Sequence, residues 1–161
     1  MRKTLLVLLF SLVTGSLKAE TLFLKPGSGF GFGNGYSNPE IILSVAGGVE
    51  ESDGFSFYPS AEQMFLNKGV RNNFTFNVEY KALKINFLDL YVFSGLGLSF
   101  FSDFIGRIFQ IGLGLEINLT HGMDFFAETK YFDGGNDWWS RSPANSFYYF
   151  PIVGGGLKFF L

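Results

Sequence analysis

The sequence predicts an all-β protein, an eight-stranded antiparallel up-and-down transmembrane β-barrel, and three observations carry that prediction. Apolar and polar residues alternate with a period of two through most of the chain beyond residue 20, which sends them to opposite faces of strands. Each clear strand has roughly 9–11 residues, the number that crosses a bilayer at a tilt. The chain also opens with an export signal. Alternation alone fits a soluble sandwich equally well, so strand length and export are what favour lipid.

Composition agrees with this reading. Aromatic residues make up 19% of the 161 positions, with 22 Phe and 21 Gly. That many phenylalanines on a small soluble domain would aggregate. There is no Cys, which excludes disulfides, thiolate nucleophiles and Cys-based metal sites.

Residues 1–19, MRKTLLVLLFSLVTGSLKA, form a signal peptide: a basic start at Arg2 and Lys3, an apolar Leu5–Val13 core and a small-residue end. Cleavage is expected after Ala19, although Leu17 occupies a position where small residues are preferred. Residues 20–161 are then one barrel domain. The mature chain keeps 9 of the 12 basic residues and all 14 acidic ones, for a net charge of −5, so no nucleic-acid partner is expected.

Strands are expected near 21–32, 40–50, 55–66, 73–87, 90–101, 106–119, 123–132 and 149–161. The first and third are interrupted by Pro26 and Pro59, each lacking a ladder donor. The second sets Leu43, Val45, Gly47 and Val49 against Ser44, Ala46, Gly48 and Glu50. In the fourth the apolar face slips from Phe74-Phe76-Val78-Tyr80 to Leu83-Ile85-Phe87, which predicts a bulge. The fifth alternates Val92, Ser94, Leu96 and Leu98 with Tyr91, Phe93, Gly95 and Gly97. The sixth places Phe109, Ile111, Leu113, Leu115 and Ile117 on one face; a helix would scatter them. The short LTHG link makes it a hairpin with the seventh, whose polar face carries Asp124, Glu128 and Lys130. The eighth sets Val153, Leu157, Phe159 and Leu161 against Ile152, Lys158 and Phe160. The last residue falls inside this pattern, so the eighth strand is expected to pair with the first and close the sheet.

Connections alternate in length, with ESDG, Leu88-Asp89 and LTHG short and the others longer. Short periplasmic turns and longer external loops are the layout of outer-membrane barrels. Eight strands enclose room only for side chains. The polar face would therefore pack a network of Glu62, Lys84, Glu116, Glu128, Lys130 and Lys158, relieved by glycines such as Gly112 and Gly114.

Three stretches carry a family resemblance. LYVFSGLGLSF resembles a PYxGxGxG strand, matching at Tyr91, Gly95 and Gly97 but with Leu90 for the proline. QIGLGLEINLTHGMDFFAETKYF resembles a glycine strand, an LT turn at Leu119-Thr120 and a strand matched at Glu128, Lys130 and Tyr131. GGGLKFFL resembles the C-terminal signal read by the outer-membrane insertion machinery, here Leu157, Phe159 and Leu161, with Leu in place of the usual Phe. Over 90–161 the chain thus resembles the small eight-stranded outer-membrane β-barrel family, of the opacity-protein and outer-membrane-protein-A-like type. The resemblance implies a bacterial outer-membrane location, contact with outer-membrane lipid, assembly by the insertion machinery and a structural, adhesive or immune-facing role.

No cofactor or metal site is expected: one His and no Cys give no ligand cluster of recognisable spacing. The expected function is that of a non-enzymatic, monomeric surface barrel. The loop DGGNDWWSRSPANSFY offers Trp138, Trp139 and Arg141 as candidate contacts for an extracellular or host ligand, though an interfacial aromatic belt explains them more simply. The alternatives are a lipid-modifying enzyme, for which the lone His121 lacks an adjacent Ser, and a narrow pore.

Overall fold

The structure, a computed structural model, describes residues 19–33, 39–66, 69–101, 104–135 and 146–161. Residues 1–18 of the expected signal peptide, and Trp138, Trp139 and Arg141, lie outside the described residues.

Eight antiparallel strands follow one another around a closed barrel. They are β1 (Ala19–Gly33), β2 (Glu40–Glu51), β3 (Phe55–Leu66), β4 (Gly69–Ile85), β5 (Leu88–Phe101), β6 (Phe104–Thr120), β7 (Met123–Gly135) and β8 (Ser146–Phe160). Closure comes from β8 pairing with β1, from Phe23↔Phe160 to Gly33↔Tyr149. The Leu161 amide extends the seam, donating to the Leu22 carbonyl at 2.9 Å.

Several strands outrun their expected bounds. β4 begins at Gly69 and β6 at Phe104, so residues 67–68 and 102–103 alone join β3 to β4 and β5 to β6. The contrast between short and long connections thus survives only at 34–39 and 136–145. Continuing the ladder through 69–73 gives backbone groups there partners on β3, which the polar composition of that stretch does not reveal. The β4–β5 turn is Asn86-Phe87 rather than Leu88-Asp89. Asn86 takes φ 49°, a left-handed conformation that Asn tolerates and bulky residues avoid.

The prolines are accommodated by local openings of the ladder. Pro26 pairs with Val45 of β2, while the β1–β8 pairing lapses between Leu24↔Phe159 and Gly27↔Gly156 without a change of register. Pro59 pairs with Phe76 of β4, while the β2–β3 pairing lapses between Ala46↔Ser60 and Val49↔Phe57, again in one register. Each proline lacks one donor, and the ladder opens on one side only. Pro151 lies within a register shift against both neighbours. The bulge expected in β4 falls between Lys81 and Leu83.

Faces follow the alternation. The outer surface presents exposed Leu22, Phe30, Leu43, Phe74, Phe76, Val92, Leu96, Ile111, Leu113, Phe125 and Val153, among others, on all eight strands. A water-soluble sheet would bury these residues; spread around a closed barrel, they face hydrocarbon. Inside, glycine and aromatic residues are complementary. A Cβ on Gly112 would lie 2.6 Å from the Phe93 ring and 2.6 Å from the Thr129 carbonyl, and one on Gly114 would strike the Tyr91 ring. Both rings find room beside β6 because those positions are bare.

Substituting Gly112→Leu should therefore destabilise the barrel by about 1–3 kcal/mol through overpacking. The outward Ser94→Leu should be close to neutral. Urea unfolding of each variant in phosphatidylcholine vesicles, followed by tryptophan fluorescence, checks both.

Candidate functional site

The interior is layered along the barrel axis. Nearest the end carrying the 34–39 and 136–145 connections, Ile42, Met64, Ile108, Phe132 and Ile152 form a buried apolar cluster, with Leu66 packed against it. Beneath it is a layer of neutral polar side chains. Ser60 and Thr75 share a 2.6 Å hydrogen bond, Asn77 donates to Ser60 at 2.9 Å and Gln110 donates to Thr75 at 3.1 Å. Towards the other end the interior becomes ionic.

Four buried lysines meet six carboxylates in one connected network. Glu116 is the hub, 3.0 Å from Lys81, 3.0 Å from Lys158 and 4.0 Å from Lys25. Lys25 also reaches Glu79 at 3.3 Å and Glu128 at 3.6 Å. Lys81 bridges Glu50 at 2.7 Å and Asp89 at 3.1 Å, and Lys158 lies 2.6 Å from Glu50. Glu128 carries the network to Lys130, whose ammonium pairs with Glu62. Aromatic rings complete the shell: Lys25 sits 4.5 Å from the Tyr91 ring centre and 4.4 Å from that of Phe126, and Lys158 4.5 Å from that of Phe23. Tyr58 donates to Glu79 at 3.1 Å and Tyr91 to Glu128 at 3.1 Å. Burial strengthens each attraction and makes each loss costly, because a charge left alone there has no water.

Of the residues expected in this network, the structure brings Glu62, Glu116, Glu128, Lys130 and Lys158 together. Lys84 is a correction: it is exposed, beyond the β4 bulge and across from Asp89. Its place is taken by Lys81, which lies before the bulge with Glu79 on the same inward face. Sequence reasoning missed Glu79, Lys81 and Asp89. The signal was present, since Arg71, Asn73, Thr75, Asn77, Glu79 and Lys81 alternate strictly with apolar residues after Asn72 and all point inward. Asp89, expected in the Leu88-Asp89 connection, instead starts an inward row in β5.

Leu157, Phe159 and Leu161 share the outward face at the end of the chain, with Leu157 opposite Phe125 and Phe159 opposite Met123. His121 is exposed in the β6–β7 turn. Among the described residues no group of three or more His, Cys, Asp or Glu side chains is arranged to hold a metal ion.

The lumen is filled. A cavity of about 30 Å³ remains at mid-barrel, lined by Lys25, Tyr58, Glu62, Gln110, Glu128 and Lys130 among others. That is room for water and not for a solute. The arrangement pairs every one of the four lysines with carboxylates and fills space, and leaves no wide passage through the described interior.

Comparison with protein-family models and with curated protein sequences finds no match. Solved structures do match in fold. Neisserial surface protein A is similar over 86% of this chain and 96% of its own, with a TM-score of 0.63 and 8% identity. A structure from the de novo design of transmembrane β-barrels is similar over 89% of this chain and 98% of its own, with a TM-score of 0.52 and 14% identity. At such identities the likeness concerns the fold, which is that of an eight-stranded transmembrane β-barrel.

Breaking the Lys130–Glu62 pair tests the ionic interior. Lys130→Met alone should cost about 3–5 kcal/mol, because it strands Glu62, and adding Glu62→Leu should restore most of that loss. Lys84→Met, at an exposed position, should shift stability by no more than about 0.5 kcal/mol. Denaturant midpoints of the four proteins in vesicles provide the measurement.

Proposed function

We propose that this chain is a non-enzymatic protein of a bacterial outer membrane, exported by a cleaved signal peptide. In this reading it is a structural barrel that displays its 34–39 and 136–145 connections on the cell surface. The observation that carries the reading is a continuous apolar outer surface around a filled, ion-paired interior. A hollow interior would suit transport, and a cleft holding a nucleophile beside a base would suit catalysis. Here the space is taken by side chains that pair with one another, each of the four lysines between two or more carboxylates.

Outer-membrane lipid is the proposed surrounding medium. The insertion machinery is the proposed partner during assembly, reading Leu157, Phe159 and Leu161 from the outward face of β8. Because every strand edge is paired, the barrel is proposed to act as a monomer. An external ligand would meet Trp138, Trp139 and Arg141, whose residue types suit a binding contact. The similarity to a surface protein in fold supports surface display and leaves the ligand to experiment.

A narrow pore is the second reading, favoured by the ionic network that runs from Glu62 to Asp89. The apolar cluster opposes it, since Ile42, Met64, Ile108, Phe132 and Ile152 close the lumen above that network.

Three measurements test these readings. Detergent-extracted mature protein should migrate differently on gels before and after boiling; identical mobility would count against a lipid barrel. In planar bilayers the wild type should give no steady conductance, whereas a Met64→Ala/Ile108→Ala/Phe132→Ala variant should conduct; stepwise wild-type currents would support the pore. Deleting residues 136–145 should abolish binding to host components if that loop is adhesive, and unchanged binding would remove it from consideration.

A further inference from the structure

We propose that a water molecule occupies the mid-barrel cavity, donating hydrogen bonds to Glu62 Oε2 and Gln110 Oε1 and so joining the ionic network to the neutral polar layer. Those two oxygens are the reason. Glu62 and Gln110 are 5% and 2% exposed, both line the cavity, and neither oxygen has a hydrogen-bond partner in the protein. The inference concerns the barrel interior and goes beyond the surface role proposed above.

Neighbouring groups fix which Gln110 atom is left over. Asn77 Nδ2 donates to the Tyr58 carbonyl at 3.4 Å, and a carbonyl can only accept. The Asn77 oxygen is thereby turned towards Gln110 Nε2, which donates to it and to Thr75 Oγ1. Gln110 Oε1 remains without a donor. In Glu62 the other oxygen, Oε1, already accepts from Lys130. Both orphan atoms are acceptors, and each is costly to bury without a donor. The occupant of the cavity must therefore donate hydrogen bonds or carry positive charge.

The surrounding charges decide between these. Lys25, Lys130, Glu62 and Glu128 all line the cavity, two positive and two negative, so charge is balanced locally. A metal ion or an ammonium ion there would sit beside two lysine ammonium groups, which repel it. Water adds no charge. Its two hydrogens match the two orphan acceptors, and its oxygen can accept from Lys130 or from Ser44, the register partner of Glu62. Three hydrogen bonds are usual for a buried water, and ~10–15 Å³ suffices for one molecule. The cavity, at about 30 Å³, meets that need and excludes larger polar solutes.

A crystal structure of the refolded mature protein in detergent tests the assignment. One density peak should lie about 2.6–3.2 Å from both Glu62 Oε2 and Gln110 Oε1 and refine as water. Ala46 also lines the cavity, so Ala46→Leu should fill the space and abolish the peak while Lys130 stays paired with Glu62. Crystals soaked in rubidium or thallium salts should give no anomalous signal at this position. An anomalous peak there would assign a cation and overturn the proposal. So would an empty cavity, side chains that turn to bond the two orphan oxygens directly, or a peak that persists in Ala46→Leu. If Ala46→Leu does not refold, the wild-type density and the soaks decide the matter alone.

Discussion

An open sheet cannot face hydrocarbon, because each unpaired backbone N–H or C=O there has no water to bind. In this barrel that constraint falls on the β1–β8 seam, where the two ends of the chain must find one another. The seam runs from Phe23↔Phe160 to Gly33↔Tyr149 and is prolonged by the Leu161–Leu22 hydrogen bond. Its weak points are the places where proline removes a donor, Pro26 in β1 and Pro151 in β8, and there the pairing lapses or the register shifts. Everything else in the structure presumes that this closure holds: an inside, an outside, and a boundary between ions and lipid.

Closure in turn creates the packing problem of the interior. Eight strands leave a narrow tube, and the chain fills it with large aromatic rings and long charged groups together. Bare β6 positions at Gly112 and Gly114 make room for Phe93 and Tyr91, and the Tyr91 ring then meets the Lys25 ammonium. Lysine stems occupy volume as hydrocarbon does, while their ammonium groups sit among carboxylates and ring faces. The apolar cluster of Ile42, Met64, Ile108, Phe132 and Ile152 covers the other end of the tube. Space filling and ion pairing are thus met by the same side chains.

Much of this was legible in the sequence because the side-chain period of a strand is two and each face here has its own solvent. Leu43-Val45 against Ser44-Ala46, and Val153-Leu157 against Ile152-Lys158, read directly as outside and inside. Where the period breaks, legibility fails. The bulge near Ala82 shifts the phase of β4, which drew Lys84 into the expected network and hid Lys81. Strand ends were also hard to read. Polar tips such as 69–73 have loop-like composition, yet their backbone stays in the ladder because pairing does not depend on which side chains are polar. The membership of the network was partly readable, but most individual pairings were not, because they depend on which strands face each other across the tube.

The distances between network partners along the chain bear on how the barrel forms. Lys158 and Glu50 are 108 residues apart, and Lys130 and Glu62 are 68 apart. Local pairs such as Lys81–Asp89 form within one hairpin, but the hub Glu116 draws on lysines from β1, β4 and β8, so a partly assembled sheet would carry some inward charges without their partners toward the bilayer. Such a sheet is a poor resting state, and the long loops it must close slow the search for the final arrangement. Folding and insertion should therefore be coupled, with the full set of ionic partners complete only when the last strand returns to the first.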